Sequence, residues 1–329
     1  MNYPLNPLVY SKDVEREPIR AGFGRGLKAA GEKNENVVAL CADLTESTQM
    51  HLFRDAFPKR FVEIGIAEQN LVTVASGMAR AGKIPFTSSY AAFSPGRNWE
   101  QIRTTAALNN QPVKVVGSHA GVSVGPDGAT HQMLEDIALM RVLPNMVVVA
   151  PGDSIEAEKA TLQIAENGKP TYLRLAREKT PIFSTVDSPF ELGKAYVLKE
   201  GADVSLFGTG SMTYQLLIAA EYLEKKGINA EVVHVPTIKP LDEKTLLTSA
   251  KKTGRVVTAE EAQAAGGFGS AVTELLSGTL PMPVKRIGMK DRFGESGAPD
   301  ELMAYFDLTG DKVAEAVEVF VNEMPQYHR

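Results

Sequence analysis

The sequence predicts an α/β protein of two domains, each with a mainly parallel sheet flanked by helices. Three observations carry this expectation. Short apolar runs alternate with longer helical patterns almost throughout the chain. Its 329 residues exceed what one hydrophobic core usually holds, which favours two units of roughly 150 residues each. The periodicity then lapses into proline, serine and threonine around "EKTPIFSTVDSPFELG", so a boundary is expected near residue 188, with domains at 1–188 and 189–329.

Taken in order, "PIRAGFGRGLKAAGEK" reads as a helix and "NVVALCADL" as a buried strand. "RFVEIGI" leads into a helix from Ala67 to about Ala81, and "KIPFTSSYAAF" carries a strand into a loop. "NWEQIRTTAALNN" is expected to be helical, "PVKVVGSHAG" a strand and "GVSVGPDGATHQ" a flexible glycine-rich loop. "MLEDIALMRVL", "NMVVVAPGD", "SIEAEKATLQIAENG" and "TYLRLAR" continue the alternation. Beyond the boundary come "DVSLFGTGS", the helix "YQLLIAAEYLEKKG", "NAEVVHVPT", "GRVVTAE", the helix "GSAVTELLSG" and "VKRIGMKD".

Bulk composition narrows the function only by exclusion. A net charge of −5, with the signs mixed along the chain, gives neither a basic footprint for nucleic acid nor a polybasic stretch for a membrane surface. No run approaches the ~18 apolar residues of a membrane span, and the start lacks a signal-peptide pattern. One cysteine, Cys41, cannot form an internal disulfide and suits a reducing compartment. A cytosolic protein is expected.

Loops at the carboxyl ends of parallel strands form the usual ligand crevice. The loops that matter here are "ADLTES", "SSYAAF", "GSHAGVSVGPDGATH" and "RLAREKT", all in the first domain. "GFGRG" lies inside a helical pattern rather than after a strand, and so fails as a dinucleotide fingerprint; "FGTGS" reads as a tight turn. Cys41 has no partner at metal-ligand spacing, and no transition-metal site is expected. The odd residue is Glu68. At helical spacing it is followed by Val72, Ala75 and Ala79, so a carboxylate opens an apolar stripe. It could complement the helix dipole or serve chemistry.

At "EIGIAEQN", followed by "SHAGVSVGPDGATHQMLEDIALMRVLPN", the chain resembles the thiamine-diphosphate-dependent transketolase family. More narrowly, it resembles the C-terminal half of a transketolase made as its own subunit. That resemblance covers nearly the whole chain and implies a pyrimidine-binding domain of the thiamine-diphosphate fold followed by the family's C-terminal domain. It implies that Glu68 matches the carboxylate bonded to N1′ of the cofactor's aminopyrimidine. Burial favours a neutral carboxyl, which can share a proton with a heteroaromatic nitrogen, and the cofactor then supplies the electron sink. Tyr90 and Phe93 match the aromatic pocket around that ring, though core packing would also account for them. Asp43 matches a position near the thiazolium side.

The family's sugar site maps onto the remaining loops. Asp127 and His131 match residues that bond the hydroxyls and carbonyl of a donor sugar, and His131 with His119 would relay protons. His119, Arg20, Ser47 and Arg177 match the phosphate-binding set, where arginine's planar fork grips phosphate oxygens. Pro126 stands where many relatives carry an acidic residue, which leaves the sugar preference open.

The family's G-D-G motif for the diphosphate and Mg²⁺ is missing from this chain. The resemblance therefore implies a separate N-terminal subunit that brings the metal, a site between subunits, and two copies of each chain. A 1-deoxyxylulose-5-phosphate synthase and a 2-oxo-acid dehydrogenase β subunit are the neighbouring alternatives. A non-catalytic assembly subunit is the alternative of another class. "DRFGESG" (291–297) is the densest polar cluster of the second domain, to which no catalytic role is assigned.

Overall fold

The computed structural model describes residues 3–327. The strands are β1 (Arg16–Pro18), β2 (Val37–Cys41), β3 (Phe61–Glu63), β4 (Ile84–Tyr90), β5 (Lys114–Ser118), β6 (Val147–Val149), β7 (Thr171–Arg174) and β8 (Lys179–Pro181) in the first half. The second half adds β9 (Tyr196–Lys199), β10 (Val204–Gly208), β11 (Ala230–His234), β12 (Thr237–Lys239), β13 (Val256–Gln263) and β14 (Val284–Met289). The helices used below are α1 (Ile19–Lys33), α2 (His51–Ala56) and α3 (Glu68–Arg80), then α4 (Trp99–Gln101), α5 (Asp136–Arg141), α6 (Ser154–Glu166) and α7 (Met212–Glu224).

The first sheet has seven strands in the order β12-β6-β7-β5-β4-β2-β3, and the second has five in the order β14-β13-β10-β11-β9. All pairings in the first sheet are parallel except β12 with β6, and all in the second except β9 with β11. This is the predicted fold class. Its cause is the predominantly apolar make-up of β2, β5, β10 and β11, every residue of which is buried, as a strand covered on both faces requires.

Helix α1 packs on α6 through the "GFGRG" glycines. A methyl at Gly22 would sit 1.8 Å from the Ser154 carbonyl oxygen, and one at Gly26 only 2.8 Å from that of Glu158. Those glycines let two helix backbones meet, which is why a dinucleotide reading fails there. On the other face, α3 buries Leu71, Val72, Ala75, Ser76 and Ala79, the stripe its spacing predicts.

Three local expectations change. "NWEQIRTTAALNN" is not a plain α-helix: one turn of α4 widens into a π-helix over Ile102–Ala107. "MLEDIALMRVL" shortens to α5, because Met133 bridges to Ala120 and so belongs to the loop's base. The loop 119–131 is also not uniformly flexible, since Gly121 to Gly125 are buried.

The two halves interlock. Strand β12 comes from beyond residue 188 and adds an antiparallel edge to the first sheet. Beneath that junction, the Glu156 carboxylate accepts from the Tyr3 hydroxyl at 2.8 Å and meets His234 Nε2 at 2.7 Å, fully buried. No helix among the described residues is long and apolar enough to cross a membrane.

Candidate functional site

Five parallel strands deliver the candidate residues to one edge. Asp43 follows β2, Glu68 follows β3, Tyr90 ends β4, His119 follows β5 and Arg177 follows β7. This is the carboxyl edge of the sheet, where an open α/β fold places its ligand crevice. Arg20 reaches the same edge from the first turn of α1. The antiparallel pair β1–β8 sets that turn beside the segment after β7.

Glu68 is the first residue of α3 and only 5% exposed. Its backbone carbonyl accepts from Asn98 Nδ2 at 2.8 Å, which fixes the helix start. Arg97 Nη1 lies 3.4 Å from each carboxylate oxygen, well beyond the ~2.8 Å of a tight charge-assisted bond. The Arg97 guanidinium stands 4.3 Å from the Phe93 ring centroid and is 54% exposed, so it can swing into solvent.

Tyr90, Phe93, His119 and His131 form one aromatic group. Tyr90 stacks on His119 with centroids 3.8 Å apart and lies 6.0 Å from Phe93; the His131 ring is edge-on to Phe93 at 5.3 Å. His119 sits at φ +58°, a left-handed backbone that turns its ring back over Tyr90, and its Nδ1 shares a proton with Ser118 Oγ at 2.8 Å. His131 Nδ1 similarly meets Thr130 Oγ1 at 2.8 Å.

Next to the stacked rings lie two cations. Arg20 Nη1 donates to the Arg177 carbonyl, and Arg177 Nη1 donates to the Val124 carbonyl. Glu178, 3.6 Å from Arg177, is the one carboxylate paired with either arginine among the described residues. Burial first, and then the neighbouring Arg177, lower the Arg20 pKa, and its Nε is a buried nitrogen with no partner among the described residues. Such a pair is short of negative charge, which suits an anion with several acceptor oxygens.

His119 feels the same field. Burial, then Arg20, Arg177 and His131, push its pKa down to about 3. The ring is therefore neutral at physiological pH and acts through Nε2 as a neutral partner, which narrows the proton-relay role expected of it. Because the folded value lies below the ordinary one of about 6.5, the unfolded chain binds the proton more readily as pH falls from 6.5 towards 3. This group's contribution to stability is thus lost in that window. Imidazole NMR shifts of His119 in the unliganded chain should stay flat from pH 8 down to about 4; a midpoint near 6.5 would contradict the buried, cation-flanked setting.

Not every expected residue joins this group. Asp127 is exposed at the outer turn of the loop, Asp43 is exposed, and Ser47 is half-buried. Among the described residues, no hydrogen bond or ring contact ties these three side chains to the cluster. Asp43, at φ +57°, presents its backbone N–H to Glu63 Oε1 at 2.8 Å. Trp99 packs against the core and donates from Nε1 to the Leu139 carbonyl at 2.8 Å.

Two site residues escaped the sequence reading. Glu63 accepts from the Asp43 and Gly65 backbones and from Thr45 Oγ1, welding the loop after β2 to the turn that carries Glu68. Its place at a strand end was the available signal. Arg97 pairs with Glu68 across a loop, which no local pattern announces. An aminopyrimidine fits what is present: a buried carboxylate held only by a long contact and an aromatic face covered by a half-exposed guanidinium. Among the described residues no group of three or more His, Cys, Asp or Glu could hold a metal ion.

Comparison with known proteins gives two family matches: transketolase, pyrimidine binding domain, over residues 17–182, and transketolase, C-terminal domain, over residues 193–313. The 6-deoxy-6-sulfo-D-fructose transketolase subunit SqwH of Clostridium sp. (strain MSTE9) is 42% identical over 316 residues, 96% of this chain and 97% of that protein. The transketolase of Homo sapiens is 36% identical over 327 residues, which make up 98% of this chain but 52% of the human one. A solved structure titled split gene transketolase, inactive beta4 tetramer, superposes with a TM-score of 0.88 at 44% identity, covering 94% of this chain and 99% of that one.

Proposed function

We propose, from the premise that this chain belongs to the transketolase family, that it is the C-terminal subunit of a split, thiamine-diphosphate-dependent transketolase. In this reading it moves a two-carbon ketol unit from a ketose phosphate to an aldose phosphate. The observation that carries the reading is the convergence at one sheet edge of a buried carboxylate, an aromatic wall with two histidines, and an under-neutralised arginine pair.

Thiamine diphosphate, when bound, supplies the electron sink for carbon–carbon cleavage. Glu68 holds a proton at N1′ of its pyrimidine, and Phe93 and Tyr90 wall that ring. Asp43 borders the thiazolium side. His131 and neutral His119 bond the donor's oxygens, Asp127 takes a sugar hydroxyl, and Arg20, Arg177 and Ser47 hold the phosphate. The diphosphate and Mg²⁺ are held by a separate N-terminal subunit, with two copies of each chain in the assembly. Support for this comes from the relative that is by name a subunit and from the solved structure whose title couples a beta4 tetramer with inactivity. The single buried cysteine suits a reducing cytosol.

The sulfosugar relative favours a second reading of the donor. Sulfonate resembles phosphate in shape and acceptor oxygens, so the arginine pair suits either. The test is a steady-state comparison of xylulose 5-phosphate, a 6-sulfonated ketose and pyruvate in the reconstituted pair. Ketol transfer from the phosphate sugar supports the main reading, and preference for the sulfonate selects the second. Turnover of pyruvate alone would point to the neighbouring decarboxylating enzymes. Cofactor binding without turnover of any of the three would favour an assembly subunit.

A further inference from the structure

The C-terminal half does more than complete the fold around the site. Glu261, on β13, is 2% exposed and reaches out of its own sheet into the loop that joins His119 to His131. Its Oε1 accepts the Ser123 backbone N–H at 2.7 Å, and its Oε2 accepts from the Ser211 hydroxyl, ahead of α7, at 2.8 Å. The next residue in the loop is Val124, whose carbonyl holds Arg177, and the Arg177 carbonyl in turn holds Arg20. Hydrogen bonds joined through the Ser123–Val124 backbone thus lead from a buried carboxylate of the second half to both arginines.

The surrounding geometry is built for this contact. Gly121 adopts φ +93°, and a methyl there would lie 2.2 Å from Glu261 Oε1, so glycine is needed for the loop to come this close. The Glu261 carbonyl accepts from Arg174 Nη2 at 2.7 Å, which anchors β13 to the strand that feeds Arg177. On the far side of the loop, Gln132 Nε2 donates to the Val122, Gly125 and Glu295 carbonyls, binding the loop to the "DRFGESG" segment. A buried carboxylate costs stability unless its acceptors are used, and here one oxygen is used on the loop and the other on Ser211.

We infer that Glu261 is a positioning residue that sets the anion-binding arginines through Ser123 and Val124, so that the C-terminal half governs affinity for the anionic end of the substrate. This rests on the proposed reading of Arg20 and Arg177 as the anion site. Glu261→Ala leaves the Ser123 N–H buried without its acceptor, and Glu261→Asp is one methylene too short to reach it. Glu261→Gln keeps an oxygen for Ser123 and an amide for Ser211.

The experiment measures donor KM and kcat in the reconstituted pair, and inorganic phosphate binding to the same complexes by calorimetry. Glu261→Asp and Glu261→Ala should raise the KM for a phosphorylated donor and the phosphate Kd about tenfold, with kcat within about twofold. Glu261→Gln should restore both. Should Glu261→Ala fail to fold, the Asp and Gln pair decides the matter. Unchanged KM and phosphate Kd in Glu261→Asp, or equal losses in the Asp and Gln variants, would overturn the inference. If wild type binds phosphate but transfers no ketol, the functional reading fails instead, and the phosphate Kd of the variants still judges Glu261.

Discussion

In the reconstituted pair, Glu68→Ala should lose turnover by about 10²–10⁴-fold, the span expected when a positioned proton-transfer group is removed. The fold should survive the change. The start of α3 is held by Asn98 bonding the Glu68 backbone, not its side chain, and the one ion pair lost among the described residues is the loose contact with a largely exposed arginine. Cofactor binding should therefore outlast catalysis, since the aromatic wall remains. Glu68→Gln is the sharper variant: it keeps the shape and one acceptor but cannot hold an ionisable proton. Turnover within threefold of wild type in Glu68→Ala would remove the carboxylate from the chemistry.

The second large effect should fall on binding rather than on turnover. Arg177→Ala removes one of two adjacent cations and also frees the Val124 carbonyl. Donor KM for a phosphorylated sugar should rise about ten- to a hundredfold, as losing a charge-assisted contact implies, while kcat changes far less. Arg20→Ala should act in the same direction, and the double variant should cost less than the product of the two. The arginines are coupled: Arg20 bonds the Arg177 backbone, and the neighbouring Arg177 raises the cost of Arg20's charge. Phosphate should raise the melting temperature of wild type but not of the double variant. A proportional drop in kcat would instead place these arginines in the chemical step.

The parts of this molecule that could be read from sequence share a physical origin. β2, β5, β10 and β11 are fully buried, so their apolar cores (VVALC, VV, LF and VV) mark them even where Lys114, Glu231 or His234 interrupts, and α3 shows its buried stripe at regular spacing. The loops at strand ends were legible because polar residues there break an apolar run. Glu68 stood out for the opposite reason, as a charge opening an apolar face. What escaped depends on distant partners. The widening at Ile102–Ala107 has no sequence mark, and β12 crosses from the second half to the first sheet after an ordinary apolar run.

Arg97, Glu63 and Glu261 are polar residues whose meaning lies wholly in what the fold sets against them. Local pattern assigned the second half no chemistry, yet its Glu261 is bonded to the loop between the two histidines. Asp127, Asp43 and Ser47 show the converse. The family pattern marks them, and among the described residues no hydrogen bond or ring contact joins their side chains to the ring and arginine cluster.

In the proposed function this polypeptide builds only the pyrimidine-facing part of a shared site. The most direct test of this is to titrate the purified chain with the N-terminal subunit, at saturating thiamine diphosphate and Mg²⁺, while following ketol transfer. The chain alone should give no turnover, and the rate should rise and level off at equal amounts of the two subunits. Sustained turnover by the chain alone, indifferent to the added subunit, would contradict the shared site.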